Sequence, residues 1–481
     1  MYYINSIYIN LQINKKWYNT TSKGGESMND TICAISTAQG IGAIAIIRVS
    51  GEEAISIVNK IFKGKDLTTV PTHTIHYGHI LDENQKEIEE VLVSVMRSPK
   101  TFTTEDVVEI NTHGGVASTN KVLGLLISNG CRLAEPGEFT KRAFLNGRID
   151  LLESEAIMDM INAKTETQVE LAMNQISGKV SDLINKLRDD MVQIISNINV
   201  NIDYPEYDDV DIITNDVLIP KITSLKEQIE KILKESKNGK IIKEGIKTSI
   251  IGKPNVGKSS LLNALLDEEK AIVTDIAGTT RDIVEGTINI DGILLNIIDT
   301  AGIRNTEDVI ESIGVEKSIK IMKESDLILF VLNNNEELDS ETEKLLKELK
   351  DKTSIIIINK IDLENKLDIN KLSVDKSSII NMSIKDNIGI EELKNKIKEI
   401  FNLEQIEKED PTYLSNARCI GILTNCLNSI KEVEKGLKNN QPIDMIELDI
   451  KNIWEELGRI NGTTYEEELL DEMFSRFCLG K

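Results

Sequence analysis

The chain has 481 residues, of which 40% are hydrophobic, and this is enough for several domains that each have a core. Its formal net charge of −23 argues against broad binding to a nucleic-acid backbone, so any contact with a nucleic acid should be local or made mainly through a partner. The 5 cysteines form no Cys-x-x-Cys pair, which favours a reducing cytoplasm, and no run of about 18 apolar residues predicts a membrane span.

In chain order, the patterns predict a multidomain protein with α/β and all-helical parts. Residues 1–27 lack an apolar signal core and are interpreted as a disordered extension or a mis-assigned start. Residues 28–147 mix short alternating strands with helices, which predicts an α+β domain. Apolar residues recur at helical spacing over 148–240 and again over 403–481. Between these two stretches, residues 241–402 alternate strand and helix and predict an inserted, layered α/β domain.

The most informative motif in the inserted domain is a phosphate-binding loop between a predicted strand and a predicted helix. It reads Gly252-Lys253-Pro254-Asn255-Val256-Gly257-Lys258-Ser259, and the helix opens at Ser260. Its glycines allow backbone N–H groups to close around a β-phosphate. Lys258 can reach the β- and γ-phosphates, and the Ser259 hydroxyl is placed to bind Mg²⁺. The motif predicts a site for nucleotide phosphates.

Three later motifs predict that the nucleotide is GTP. An apolar strand leads into Asp299-Thr300-Ala301-Gly302, with an Asp near the Mg²⁺ and a glycine N–H for the γ-phosphate. Another apolar strand ends in Asn359-Lys360-Ile361-Asp362, whose last carboxylate can accept hydrogen bonds from the N1–H and N2–H₂ edge that guanine has and adenine lacks. Ser383-Ile384-Lys385 stands where GTPases carry their last base-contacting loop. Together the motifs predict a Ras-like P-loop GTPase domain with GTP as its substrate.

The loop that follows the first helix is interpreted as switch I. It runs Thr274-Asp275-Ile276-Ala277-Gly278-Thr279-Thr280-Arg281-Asp282, and Thr280 is the expected second Mg²⁺ ligand beside Ser259. Ile303 occupies the position of the water-orienting glutamine of Ras-like enzymes and has no hydrogen-bonding side chain. A potassium ion could supply the missing positive charge, held by oxygens of Asn255, Thr274, Ile276 and Thr279.

A carboxylate of switch II should orient the attacking water. Glu307, Asp308 and Glu311 are the candidates, and their chemistry alone does not rank them.

Several motifs make the chain resemble the MnmE (also TrmE) family of tRNA-modification GTPases, in the group that includes the Era and Der families. These are Gly278-Thr279-Thr280-Arg281-Asp282, the terminal Phe477-Cys478-Leu479-Gly480-Lys481, and N-terminal stretches that include Asn111-Thr112-His113-Gly114-Gly115. The resemblance covers nearly all of residues 28–481. It implies that Glu311 orients the water and makes Cys478 a catalytic candidate, with a thiol of no function as the alternative.

The same resemblance implies that residues 28–147 bind folate and form a dimer. No pattern of residue spacing would have indicated this. By family correspondence, the contacts to 5-formyltetrahydrofolate fall at Arg48, Glu109, Arg148 and Lys481. Some members of the family carry Lys where Arg148 stands. Cationic groups suit the glutamyl carboxylates of a folate, and a carboxylate suits the donors of its pterin ring.

The resemblance therefore implies a cytoplasmic, potassium-activated and Mg²⁺-dependent GTPase. It would act as a homodimer, in a heterotetramer with the flavoprotein MnmG, on the wobble uridine of certain tRNAs. The pair would add a carboxymethylaminomethyl or aminomethyl group at C5, with 5-formyl- or methylene-tetrahydrofolate as one-carbon donor. Two alternatives stay open: an Era- or Der-like ribosome-assembly GTPase, and a non-catalytic interaction switch driven by GTP.

Overall fold

A computed structural model describes residues 30–38, 40–203, 215–268, 284–298, 315–350, 352–369, 372, 376–403 and 414–480. Several predicted features lie outside these residues: the extension 1–27, switch I, the Asp299–Gly302 motif, Glu311 with the other switch II carboxylates, and Lys481. The chain forms two compact units, Met1–Ile149 with Glu466–Lys481, and Asp150–Tyr465. This division differs from the predicted domains at the C-terminus, because the last residues pack with the N-terminal unit.

The first unit is built around a sheet of seven described strands. Its elements before the second unit are β1 (Ile32–Ile35), β2 (Ile44–Ser50), α1 (Ala54–Ile61), β3 (Phe62–Lys63), β4 (Thr74–Leu81), β5 (Glu87–Met96), β6 (Val107–His113), α2 (Val116–Ser128), β7 (Arg132–Leu133) and α3 (Glu138–Leu145). The strand order is β3-β4-β5-β6-β2-β1-β7, and the pairs are antiparallel except β1–β7. Alternation sends Val93 and Ile110 into a core with α1 and α2, and leaves Tyr77 and Leu92 exposed on the other face.

The second unit contains a helical part and an α/β part. Its elements are α4 (Leu151–Asn162), α5 (Glu166–Ile176), α6 (Lys179–Asp203), α7 (Asn215–Glu244), β8 (Ile246–Ile251), α8 (Lys258–Glu268), β9 (Val284–Ile290), β10 (Ile293–Ile298), α9 (Val315–Glu324), β11 (Leu327–Asn333), α10 (Ser340–Glu348), β12 (Ser354–Asn359), a 3₁₀ helix (Lys376–Ser378), β13 (Ile379–Asn381), α11 (Ile390–Phe401), α12 (Ala417–Lys438) and α13 (Ile443–Asn461). The last helix, α14 (Glu467–Ser475), belongs to the first unit.

The α/β part has a sheet in the order β13-β12-β11-β8-β10-β9, and only the β9–β10 pair is antiparallel among its described strands. Strand β12 is a continuous apolar run because both faces of the sheet are covered. Ile355 and Ile357 point into one core, and Ile356 and Ile358 point into the other. The carboxyl ends of the parallel strands meet at one edge, where ligands of such sheets bind.

The helical part is discontinuous in sequence, as predicted. Helix α12 packs on α7, and α13 packs on α6, so helices from before and after the α/β part share one core. Met191, Ile222, Ile430 and Leu457 are fully buried in it. The α/β part is therefore inserted between the two halves of the helical part. No helix in the described part of the chain is both long and apolar enough to cross a membrane.

Candidate functional site

The phosphate-binding loop connects β8 to α8 at the carboxyl edge of the sheet. Asn255 adopts a left-handed φ of 62°, a conformation that Asn tolerates better than most residues. Gly257 has φ 104°, and a Cβ there would lie 2.2 Å from Asn359 Nδ2, so the position requires glycine. Lys258 Nζ donates to the carbonyl of Lys253 at 2.7 Å. The loop thus curls around the ammonium group that was predicted to contact phosphate.

Asn359 ties this loop to the predicted base-binding segment. Its Nδ2 donates to Val256 O at 2.8 Å, and its Oδ1 accepts from Ile384 N at 3.3 Å. Lys360 Nζ adds a third link through Asn255 O at 2.6 Å. The predicted phosphate and base motifs therefore form one contiguous site.

The predicted guanine-binding carboxylate is held by the last motif. Ser383 Oγ lies 2.9 Å from Asp362 Oδ1 and 3.0 Å from Asp386 Oδ2. The hydroxyl has one proton, so it donates to one carboxylate at a time. Ser383 is buried, whereas Asp362 and Lys385 are exposed at the mouth of the site. This arrangement leaves the Asp362 carboxylate accessible to the guanine base of a nucleotide.

Sequence reasoning missed a support on the outer side of the phosphate loop. Lys253 Nζ pairs with Asp339 Oδ2 at 2.6 Å. Asp339 is also the N-cap of α10, where it accepts from Thr342 N at 2.9 Å. Desolvation raises the pKa of Asp339, but the hydrogen bonds from Lys253 and Thr342 outweigh it and bring the pKa to about 2. An Asp ahead of a helical pattern indicates the cap, but only the fold reveals the partner lysine.

A second candidate site lies in the first unit, where the β2–β6 register places Arg48 directly opposite Glu109. Arg48 donates to Glu109 Oε1 through Nε at 2.9 Å and through Nη2 at 2.8 Å. The side chains are 17% and 24% exposed, so the pair is accessible at the surface. The pair also lies on the same face of the sheet as Leu92. Leu92 is opposite Asn111, two residues from Glu109, and alternate residues of a strand point to the same face.

Aromatic rings bring the predicted folate-contacting guanidinium groups together. Arg48 lies 5.8 Å and Arg148 5.1 Å from the ring centroid of Phe102, and Arg148 Nη1 donates to Thr101 O at 2.8 Å. Arg48 also lies 5.7 Å from the ring of Phe139. Sequence reasoning missed both phenylalanines, because a cation–π contact between distant residues leaves no local pattern.

The C-terminal segment completes this second site. Ser36 Oγ donates to Gly480 O at 3.0 Å, and Arg48 Nη1 donates to the same carbonyl at 3.4 Å. Gly480 has φ 85°, and a Cβ there would lie 2.4 Å from Ile35 O, so only glycine fits. Cys478 is exposed, and its carbonyl accepts from Gly137 N at 3.3 Å.

Nearby charged residues are engaged in the fold. Arg142 is buried and pairs with Asp30, Glu105 and Glu138. Burial raises the pKa of Glu138, but the hydrogen bonds from Arg132, the Glu135 backbone and Arg142 outweigh it, so the pKa is lowered. This network fastens α3 to the start of β1.

The strand–loop–helix phosphate site, joined to an Asn-Lys-Ile-Asp motif at the edge of a mostly parallel sheet, defines a guanine-nucleotide-binding protein of the P-loop GTPase class. Two family models match the chain, "MnmE helical domain" over residues 151–478 and "GTP-binding protein TrmE N-terminus" over residues 31–148. The chain belongs to the MnmE (TrmE) family of tRNA modification GTPases.

Two relatives that carry the family's name agree with this assignment. Proteins named "tRNA modification GTPase MnmE" from Bacillus cytotoxicus and Bacillus anthracis are each 54% identical over 455 residues, which cover 94% of this chain and 99% of the relative. Among solved structures, the FeoB G-domain of Methanococcus jannaschii is 24% identical and covers 33% of this chain and 98% of that chain, with a TM-score of 0.24.

Proposed function

We propose that this GTPase acts with the flavoprotein MnmG to add a carboxymethylaminomethyl or aminomethyl group to C5 of the wobble uridine of certain tRNAs. The observation that carries the proposal is that one chain of this family joins a guanine-nucleotide site to a separate site suited to a folate. GTP hydrolysis in one unit would drive the cycle, and one-carbon chemistry would take place at the other. The tRNA would be held mainly by the partner, since the chain has a net charge of −23.

The residues of the first unit fit a folate. Arg48 and Arg148 present guanidinium groups for the glutamyl carboxylates, and Glu109 presents a carboxylate for pterin N–H donors. Lys481, which follows the anchored Gly480, would add a further cation. A bound tetrahydrofolate would supply the one-carbon unit. Because Arg48 already pairs with Glu109, the ligand would have to share or displace that ion pair.

The nucleotide site fits Mg²⁺ and K⁺ in the residue types it offers. Ser259 and Thr280 would hold Mg²⁺, and Asn255, Thr274, Ile276 and Thr279 would hold K⁺. The potassium ion would add positive charge beside the phosphates. Glu311 would orient the attacking water, since Ile303 has no polar group to do so.

We also infer that the chain is a homodimer through its first unit. Ile44, Ile75, Tyr77 and Leu92 are between 47% and 66% exposed. The strand registers place them on one face of the sheet, together with the Arg48–Glu109 pair. An apolar patch of this kind favours burial against another protein surface.

Reconstitution tests the proposal. The purified chain, GTP, potassium, a cognate MnmG, a tetrahydrofolate donor and unmodified tRNA should yield the modified wobble uridine, detected by mass spectrometry of nucleosides. Arg48→Ala should abolish folate binding and modification, whereas Arg97→Ala, a similarly accessible arginine of the same unit, should leave both intact. Modification without folate, or co-purification with ribosomal subunits in place of a flavoprotein, would contradict the proposal.

A further inference from the structure

The β9–β10 hairpin lies between the two switch regions in the sequence. Strand β9 begins at Val284, just after switch I, and β10 ends at Ile298, immediately before Asp299. Each strand extends roughly 20 Å at about 3.3 Å per residue, so the turn lies far from the nucleotide. The pairing register shifts between Ile297 and Ile298, at the switch II end. A rearrangement of either switch therefore acts directly on this hairpin.

The tip of the hairpin packs on helix α5. Asp291 and Gly292 have φ 47° and 82°, which is characteristic of a two-residue turn in which both central residues have positive φ. A Cβ at Gly292 would lie 2.3 Å from Thr167 Oγ1, so the turn backbone lies directly against the start of α5. The Asp291 carboxylate forms an ion pair with Lys398 of α11. The tip is thus held from two sides.

Helix α5 links this tip to the helix that leads into the α/β part. Gln168 Nε2 donates to the carbonyls of Ile242 at 3.0 Å and Lys243 at 3.1 Å, near the end of α7. Leu171 of α5 is buried in the core of the α/β part. From β10, Asn296 Nδ2 donates to Glu244 O at 2.7 Å. Displacement of the hairpin would therefore be transmitted to both α5 and α7.

A cavity lies beside helix α5. It has a volume of about 200 Å³ and is lined by Asp159, Gln168, Leu171 and Lys243 among others. Lys243 Nζ pairs with Asp159 at 2.6 Å on its wall. Because part of α5 faces this cavity and not a packed neighbour, a small shift of the helix meets less resistance there than in a close-packed core.

We propose that the β9–β10 hairpin transmits the state of the nucleotide from the switch loops to helix α5 and the helical part, with Gly292 and Thr167 as positioning residues at the contact. The inference rests on the proposed function, in which GTP hydrolysis drives modification in another unit of the chain. Neither residue belongs to the nucleotide motifs. Their contact couples the β9–β10 hairpin to helix α5, so that a change at the nucleotide site and a change in the helical part can each shift the relative position of these two elements.

Hydrogen exchange of the α5 amides in the full-length dimer tests this route. Exchange is measured with GDP, and with GDP, aluminium fluoride and potassium. In the unmodified protein the two states should differ. Gly292→Ala should abolish the difference and lower tRNA modification about fivefold or more, with GTP affinity unchanged, because the added methyl displaces Thr167.

Two further variants separate coupling from a local defect. In the double variant Gly292→Ala with Thr167→Ala, the nearest atom of residue 167 to the added methyl is Cβ at 3.4 Å, so the difference in exchange should return. The double variant keeps the left-handed backbone at position 292, and recovery would therefore exclude backbone strain as the cause. Gly286→Ala on the same hairpin has no neighbour within 4 Å and should behave as the unmodified protein.

Three results would overturn the inference: α5 exchange that does not depend on the nucleotide, a Gly292→Ala variant with normal coupling, or a double variant that does not recover. The exchange measurement needs only nucleotide binding. If the unmodified protein does not modify tRNA, the proposed function is refuted. The exchange data would still decide whether the hairpin couples the α/β part to the helical part.

Discussion

Asn359→Ala should weaken GTP binding although the replaced side chain bonds to protein atoms. The residue is 3% exposed, and its amide makes two hydrogen bonds, to Val256 O and from Ile384 N. A net value of about 1 kcal/mol for each hydrogen bond means that the substitution removes about 2 kcal/mol of stabilising free energy from the site. At 1.4 kcal/mol per tenfold, GTP affinity should fall by up to roughly 30-fold, the full value applying when the bonds serve only to order the site for GTP. The loop should not be lost entirely, because Lys360 still donates to Asn255 O.

Titration with a fluorescent GTP analogue measures this effect, and denaturant unfolding reports the accompanying loss of stability. Asn359→Asp keeps the acceptor for Ile384 N but places an oxygen against Val256 O, so its loss should be at least as large. Asn111→Ala removes a side-chain bond to Leu92 O in the other unit and should leave GTP affinity unchanged. A loss below about threefold for Asn359→Ala would refute the role of this amide as the link between loop and base segment.

Four further predictions concern the nucleotide site. Asn255→Ala should remove the stimulation of hydrolysis by potassium over sodium at equal ionic strength, and equal rates of the unmodified protein in both salts would rule out the cation site. Glu311→Ala should slow hydrolysis about 100-fold with nearly unchanged GTP affinity, whereas normal turnover would assign water positioning to Glu307 or Asp308. Asp362→Asn should weaken the preference for GTP over xanthosine triphosphate, and a full preference would contradict base recognition by this carboxylate. Spin labels on the two α/β parts of a dimer should approach each other with GDP, aluminium fluoride and potassium, and a distance equal to that of the nucleotide-free dimer would mean that each part hydrolyses GTP alone.

The sequence alone predicted the fold class and the nucleotide motifs, because each motif is a short loop that directly follows a strand. The phosphate loop requires glycine for local backbone reasons, and Gly257 at φ 104° meets that requirement. The apolar run at Ile355–Ile358 predicted a strand, and all four residues are buried because both faces of the sheet are covered. The family resemblance was also a property of local motifs, and the comparisons confirmed it.

Contacts between segments that are distant along the chain were decided only by the tertiary structure. Asn359 reaches Val256 across 103 positions, and Arg48 reaches Gly480 across 432. Helix α14 is amphipathic, as the preceding helix α13 of the second unit is, yet it packs against α3 of the first unit. Amphipathic spacing specifies that a helix buries one face but not which surface covers that face. That choice, like the Gly292–Thr167 contact, depends on the shapes of two surfaces that meet only when the chain has folded.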